Sequence, residues 1–321
     1  MLVILKRFYK QIIIMTIKRK LFISTLLILF PFILFAQEHE NLKGGRGFLD
    51  FIFTAKYLFV YIFAGISIAV LWYSKFNSKA RMIVVASAFS VFGVLPLFAP
   101  FLFITPSPIC ATTKPFLFGL MPQFLATISA VGVLSLISVK GFCSTACPVG
   151  GLQELLYKIP ILRKFKIPFK ISNSVRIGLF IVFLIVAFTF KTSTYFYYNL
   201  FDLIHWDFDL PVFDLIEFII FLILILSASI ILFKPFCYLI CPMGLLTWIL
   251  EHFAFLKIRI NKEKCNGCGV CEKESPCTSV KAIVDDKLIR GDCHLCGACL
   301  NSCKFGALYY GRPGNDKDIL N

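Results

Sequence analysis

Eight of the chain's 13 cysteines lie between positions 265 and 303, in two copies of one spacing. Cys265, Cys268 and Cys271 form C-x2-C-x2-C and are followed by Cys277; Cys293, Cys296 and Cys299 repeat the pattern and are followed by Cys303. Three thiolates so spaced wrap one [4Fe–4S] cube and take the fourth ligand from the other copy. The spacing therefore predicts one cluster on Cys265, Cys268, Cys271 and Cys303, and a second on Cys293, Cys296, Cys299 and Cys277. Gly267, Gly269 and Gly297 suit a backbone that curls around a cluster with its amides turned inward. A zinc ribbon would use paired C-x2-C knuckles, and a disulfide framework would need an oxidising compartment. The first copy departs from the usual run: Glu272 to Pro276 separate Cys271 from Cys277 where three residues are usual, and no proline follows Cys277 or Cys303. The longer loop bears on the surroundings of the second cluster more than on its ligand count. Residues 258–310 are thus expected to form a small α+β two-cluster ferredoxin-like domain, with 311–321 as a tail.

The rest of the sequence reads as membrane. Hydrophobic residues make up 58% of the chain, mean hydropathy is +0.82 and phenylalanine occurs 37 times. A span needs about 20 apolar residues, and the stretches 53–74, 82–104, 116–139, 176–193 and 213–233 qualify. The expected fold is a polytopic α-helical membrane protein of five to six spans, with residues 37–257 as the membrane domain. A shorter stretch, Leu21 to Phe35, follows Lys18, Arg19 and Lys20 and ends in Phe35-Ala36-Gln37. Residues 1–36 read equally as a signal peptide, with Met15 as the start, or as a first membrane helix; the large Leu34 before the cut weighs against cleavage.

Lys75, Lys79 and Arg81 share one loop, and Lys140, Lys158, Arg163, Lys164, Lys166, Lys170 and Arg176 mark another. By the positive-inside rule both face the cytoplasm. The loop 194–211, with Asp202, Asp207 and Asp209 and no Lys or Arg, faces outward. The expected location is the cytoplasmic (inner) membrane, multi-pass, with the ferredoxin domain in the cytoplasm. The net charge of +15 is then a topology signal, and nucleic acid is not an expected partner.

An internal repeat lies at the cytoplasmic ends of two of these stretches. Residues 140–150 and 234–244 both read K-x-F-C-x3-C-P-x-G. Cysteines four apart share a face if the segment is helical, and the proline is placed to open a following short amphipathic helix, Leu152 to Ile159 or Leu245 to Phe253. Cys143/Cys147 and Cys237/Cys241 are therefore candidate redox residues: either each pair is a redox dithiol, or the pairs converge into a four-sulfur site for a further metal or cluster. Buried cysteines packed as small hydrophobes are the plain alternative, but packing alone does not ask for a duplicated interval.

Other motifs are missing. Of four histidines, His39, His205, His252 and His294, none lies mid-span, which speaks against a bis-histidine haem in the membrane. No C-x-x-C-H, G-x-G-x-x-G or P-loop occurs. A quinol site needs a carboxylate or histidine near an interface; His205, Trp206, Asp207, Asp209 and Glu217 form a candidate cluster. An aromatic belt with solvated acids, including Tyr195, Tyr197 and Tyr198, is the stronger reading of that segment. Lys56 and Lys191 are expected to snorkel, and Cys110 has no assigned role.

The two C-x3-C-P motifs followed by a two-cluster module resemble the membrane ferredoxins of the NapH type, known from periplasmic nitrate reductase systems, and the related NosR and CcoG proteins. The resemblance covers roughly residues 80 to 310. NosR-like proteins carry a large periplasmic flavin domain for which the short outside loops leave no room, and CcoG-like proteins usually carry a further C-terminal domain, so the NapH-like arrangement fits best. The resemblance implies a membrane-bound iron–sulfur protein passing electrons between the quinone pool and a partner redox subunit, as the quinol dehydrogenase component of a complex serving a periplasmic reductase. It implies, as the alternative, a CcoG-like copper reductase or an accessory electron donor for maturation of a periplasmic metalloenzyme. A transporter is disfavoured, since the spans lack buried charges and broken helices.

Overall fold

The computed structural model describes residues 47–74, 76–98, 107–160, 162–196, 199–201, 212–285, 287 and 290–312. Residues 1–36, His205, Trp206, Asp207, Asp209, Tyr197 and Tyr198 lie outside the described residues. The helical part contains α1 (Ala55–Tyr73), α2 (Ser78–Phe89), α3 (Pro122–Ile137), α4 (Gly141–Thr145), α5 (Pro148–Tyr157), α6 (Phe169–Phe190), α7 (Val212–Ile231), α8 (Pro235–Leu239) and α9 (Pro242–Glu251). The C-terminal module runs from β1 (Lys257–Ile260) through α10 (Val270–Glu274), α11 (Ser279–Val284) and α12 (Ala298–Ser302) to β2 (Leu308–Gly311). The two strands pair antiparallel, Lys257 opposite Gly311 and Ile260 opposite Leu308, and so tie the module's ends together.

The expectation of five to six membrane spans is not met. One described helix, Phe169–Phe190, is long and apolar enough to cross a bilayer; the apolar helices Tyr57–Tyr73, Pro122–Ile137 and Leu215–Ile231 are shorter. The hydropathy runs overstated helix length because they pass through breaks. The run 82–104 contains a π-helical turn, Ser90–Val94, and Pro96. The run 116–139 is cut at Gly119, which takes φ +81° after the short helix Pro115–Phe118, and a new helix starts at Pro122. Hydropathy counts apolar residues; it does not see where the backbone stops being a helix.

The repeat is structural as well as sequential. Lys234 lies 94 positions after Lys140 (234 − 140), and the same offset relates the ends of α3 and α7, the whole of α4 and α8, and the whole of α5 and α9. In each half a helix stops, a lysine turns the chain, a single helical turn carries the first cysteine, and the second cysteine caps the next helix at its proline. The motif cysteines therefore do not share one helix face, as a continuous helix would require. The chain breaks at Ala146 and Ile240 between them, and each proline removes an amide that a helix start leaves unpaired anyway. The motif glycines follow from this bend. A Cβ on Gly150 would meet the Cys143 carbonyl oxygen at 3.0 Å, and one on Gly244 the Cys237 carbonyl oxygen at 2.7 Å.

The halves exchange support. Helix α3 packs on α9 of the other half and α7 on α5; Ser138 forms a parallel bridge with Leu256, and Leu232 with Phe165. Phe92, Phe142, Phe183, Phe236 and Met243 share the core between them.

Inside this core sit ion pairs. Lys140 and Lys234 both adopt left-handed backbone, φ +48° and +49°, and both are almost fully buried. Lys234 Nζ lies 2.9 Å from Glu154, which also meets Arg81 at 2.7 Å. Lys140 Nζ lies 2.9 Å from Asp292, which also meets Arg176 at 2.8 Å. Left-handed backbone costs a non-glycine residue on the order of 1 kcal/mol, and here the ammonium's carboxylate holds it in place. Three basic residues read from the sequence as loop charges, Arg81, Lys140 and Arg176, are thus buried partners of carboxylates. Burial alone would raise the Glu154 carboxyl, but Arg81 and Lys234 hold it down at about 2.

Two outcomes are expected. Glu154→Ala strands two cations and should cost about 3–5 kcal/mol, read by thermal or denaturant unfolding. Because the folded carboxyl titrates below its ordinary value, its stabilisation is complete above about 4.5 and is lost as pH falls toward about 2. Melting temperature should fall through that window, with a shallower fall in Glu154→Gln.

Candidate iron–sulfur sites

The C-terminal module brings its eight cysteines close together. Cys265, Cys268, Cys271 and Cys303 line one cavity of about 110 Å³, closed by Ile260 and Phe305. Gly269 and Gly297 cap α10 and α12 in left-handed backbone, φ +70° and +74°, which starts each helix between the second and third cysteines of its triplet. Cys268 is exposed, so this set borders solvent. Cys277, Cys293 and Cys299 are buried and Cys296 partly so; Cys277 acts electrostatically on Cys293, Cys296 and Cys299, so the four lie near one another. Burial pushes the Cys296 thiol up to about 12. Cys271 acts on Cys299, so the two sets adjoin.

Cys143, Cys147, Cys237 and Cys241 also converge. Three of them feel the charge of others in the set: Cys147 that of the remaining three, Cys237 that of Cys143, and Cys241 that of Cys237 and Cys143. Burial is the main cause that raises all four thiols, Cys237 to about 11 and Cys241 to about 12. The first half braces the first cysteine of the second. Gln153 Nε2 donates toward Cys237 Sγ at 3.9 Å and its Oε1 accepts from the Phe236 amide at 3.0 Å. At the equivalent position, the Thr247 hydroxyl donates to the Met243 and Gly244 carbonyl oxygens of its own helix, at 2.9 and 3.3 Å. The Gly150 amide donates to Cys147 Sγ at 3.4 Å.

The module docks beside this group. Tyr238 donates its hydroxyl to the Asp292 carbonyl oxygen at 3.0 Å, Trp248 Nε1 donates to the Arg290 carbonyl at 3.0 Å, and the Cys293 amide donates to Glu251 at 3.4 Å. Burial drives the Glu251 carboxyl well above the carboxylate range. Four buried basic residues, Arg81, Lys140, Arg176 and Lys234, face the three acids Glu154, Asp292 and Glu251. That excess of positive charge suits an anionic occupant, and a cubane ligated by four thiolates is anionic. Among the described residues no group of three or more His, Cys, Asp or Glu side chains is arranged to hold a metal ion. Four thiols in each set are the donors that a [4Fe–4S] cube takes. Ligation would displace the thiol protons that burial retains.

Several of these residues were missed in the sequence. Gln153, Glu154 and Thr247 sit on short apolar helices as polar exceptions, and Asp292 and His294 were hidden beside Cys293. Glu217 is exposed on α7. Tyr195 is buried and donates its hydroxyl to the Ile240 carbonyl oxygen at 3.1 Å, which removes it from an aromatic belt. Cys110 is half-buried and accepts from Asn199 Nδ2 at 3.6 Å.

Two pseudo-equivalent helical halves that converge four cysteines, joined to a module with eight more, define an iron–sulfur protein. The comparisons with known proteins agree. A 4Fe-4S binding domain model matches residues 120–170 and 215–263, the two halves that carry Cys143/Cys147 and Cys237/Cys241. Two uncharacterized proteins of Methanocaldococcus jannaschii are similar to this chain. One is 29% identical over 222 residues, 66% of this chain and 90% of the relative. The other is 26% identical over 204 residues, 61% of this chain and 75% of the relative. YccM of Escherichia coli, provisionally described as an electron transport protein, is 28% identical over 188 residues, 53% of this chain and 50% of its own length. The chain thus spans about half of YccM. No solved structure matches. These findings support a ferredoxin-like iron–sulfur family and do not single out the NapH type.

Cys143→Ser with Cys237→Ser should lose one cluster's share of iron and acid-labile sulfide and keep the rest. Iron unchanged from the wild type would return these cysteines to packing.

Proposed function

We propose that the chain is a membrane-associated electron-transfer protein passing electrons between the quinone pool and a partner redox protein, in the NapH-like manner, for a periplasmic reductase. The observation that carries this reading is the succession of three cysteine groups from surface to core. Cys268 opens the first set to solvent, Cys271 adjoins the second through Cys299, and Asp292, next to Cys293, is held by Lys140, three residues before Cys143. When bound, iron–sulfur clusters accept and release single electrons. The protein's own groups bury two sets, leave one near the surface for a partner, and surround the inner sets with cations that favour a more negative occupant.

A quinone has a candidate seat. An apolar cavity of about 100 Å³ lies beside the π-helical turn, between Gly93, Val149, Leu152, Leu222 and Gln153. Its wall includes Gln153, which also reaches Cys237, so a ring in this cavity would adjoin the four-cysteine group. The outer face of α6, with Ile181, Val182, Ile185, Phe188 and Phe190 each half or more exposed, supports contact with lipid. The spacing of the cysteine groups gives the copper-reductase alternative no comparable support.

Reduced menaquinone analogue added anaerobically should produce reduced-cluster paramagnetic resonance signals, and Leu222→Trp should slow that reduction at least tenfold while dithionite still reduces every cluster. Silence with the quinol, alongside full reduction by dithionite, would assign the donor to a soluble protein.

A further inference from the structure

His294 lies between Cys293 and Cys296, yet its ring leaves the ferredoxin module. It packs against Tyr238, centroids 4.7 Å apart, and edge-on to Phe233 at 6.4 Å. Tyr238 stands between Cys237 and Cys241 of the second motif, so the imidazole occupies the seam between two cysteine groups. It is 2% exposed, and neither Nδ1 nor Nε2 has a hydrogen-bond partner. Buried polar groups almost always have one. In either tautomer an imidazole carries at least one N–H. That N–H needs an acceptor, and no protein atom supplies one.

We propose that His294 donates this N–H to a sulfur of an iron–sulfur cluster in the seam, either the second ferredoxin cluster or that of the four motif cysteines, and so raises that cluster's reduction potential. The inference rests on the reading that both cysteine groups hold clusters. A donor aimed at a cluster sulfur favours the reduced, more negative state, and a ring shared by two centres sits where electrons would pass between them. As a positioning residue, His294 acts on the cluster and takes no part in ligation.

The test uses the purified full-length protein, with iron and acid-labile sulfide measured first and each midpoint potential then followed by paramagnetic resonance. His294→Phe keeps the ring against Tyr238 and removes the donor; it should retain the wild-type iron content and lower the potential of one centre alone. His294→Gln restores an N–H and should recover part of that shift. If the shifted signal is the one missing from Cys143→Ser/Cys237→Ser, the sulfur belongs to the four-cysteine cluster; if it persists there, it belongs to the second ferredoxin cluster. Unchanged potentials in His294→Phe at full cluster content would overturn the proposal. Should that variant fail to assemble, nitrogen-15 histidine in the wild-type protein decides: hyperfine coupling to a reduced cluster supports the bond, and its absence overturns it. Wild-type protein without iron at the four motif cysteines would instead sink the reading of that site.

Discussion

Everything around the cysteine groups depends on burying charge in pairs. Lys140 and Lys234 hold strained backbone at the two points where a helix must stop and a cysteine-bearing turn must begin, and each ammonium is anchored by a carboxylate shared with an arginine. For Lys234, in the second half, that carboxylate is Glu154 of the first half, shared with Arg81. For Lys140, in the first half, it is Asp292, supplied by the C-terminal module and shared with Arg176. A buried charge without its partner is far costlier than an exposed one, so the helical part and the module hold each other in register, and the cysteine groups meet as a result.

The cysteine chemistry was the legible part of the sequence, because spacing along the chain and spacing around a cluster are linked by short, stiff loops. The duplicated K-x-F-C-x3-C-P-x-G was legible for the same reason, and its proline and glycine have local causes. Its lysine was visible but misread as a loop charge, since pairing with Asp292 spans 152 positions and no local pattern reports it. The helix lengths failed differently. Apolar composition ran on through Gly119, Pro122 and the turn at Ser90–Val94, where backbone geometry ends or distorts a helix and hydrophobicity is blind.

The environment of the inner cysteines also goes beyond what ligand spacing conveys. Gln153 and Thr247 occupy matching positions yet bond differently: the amide reaches Cys237 and the Phe236 amide of the opposite half, while the hydroxyl donates to carbonyl oxygens of its own helix. The frame is symmetric while the hydrogen bonds are not, which gives the two sides of one four-sulfur group unequal polarity.

The exchange between halves carries an evolutionary consequence. Ser138 bridges to Leu256 and Leu232 to Phe165, α3 packs on α9 and α7 on α5, and each half supplies two of the four motif cysteines. A chain holding one such half would present an incomplete site and an uncovered helix, and would need a second copy of itself to close both. Duplication and fusion of a self-associating ancestor accounts for the arrangement, and fusion then freed the two copies to diverge, the second copy's lysine taking a glutamate from the first and the first copy's lysine an aspartate from the module that followed.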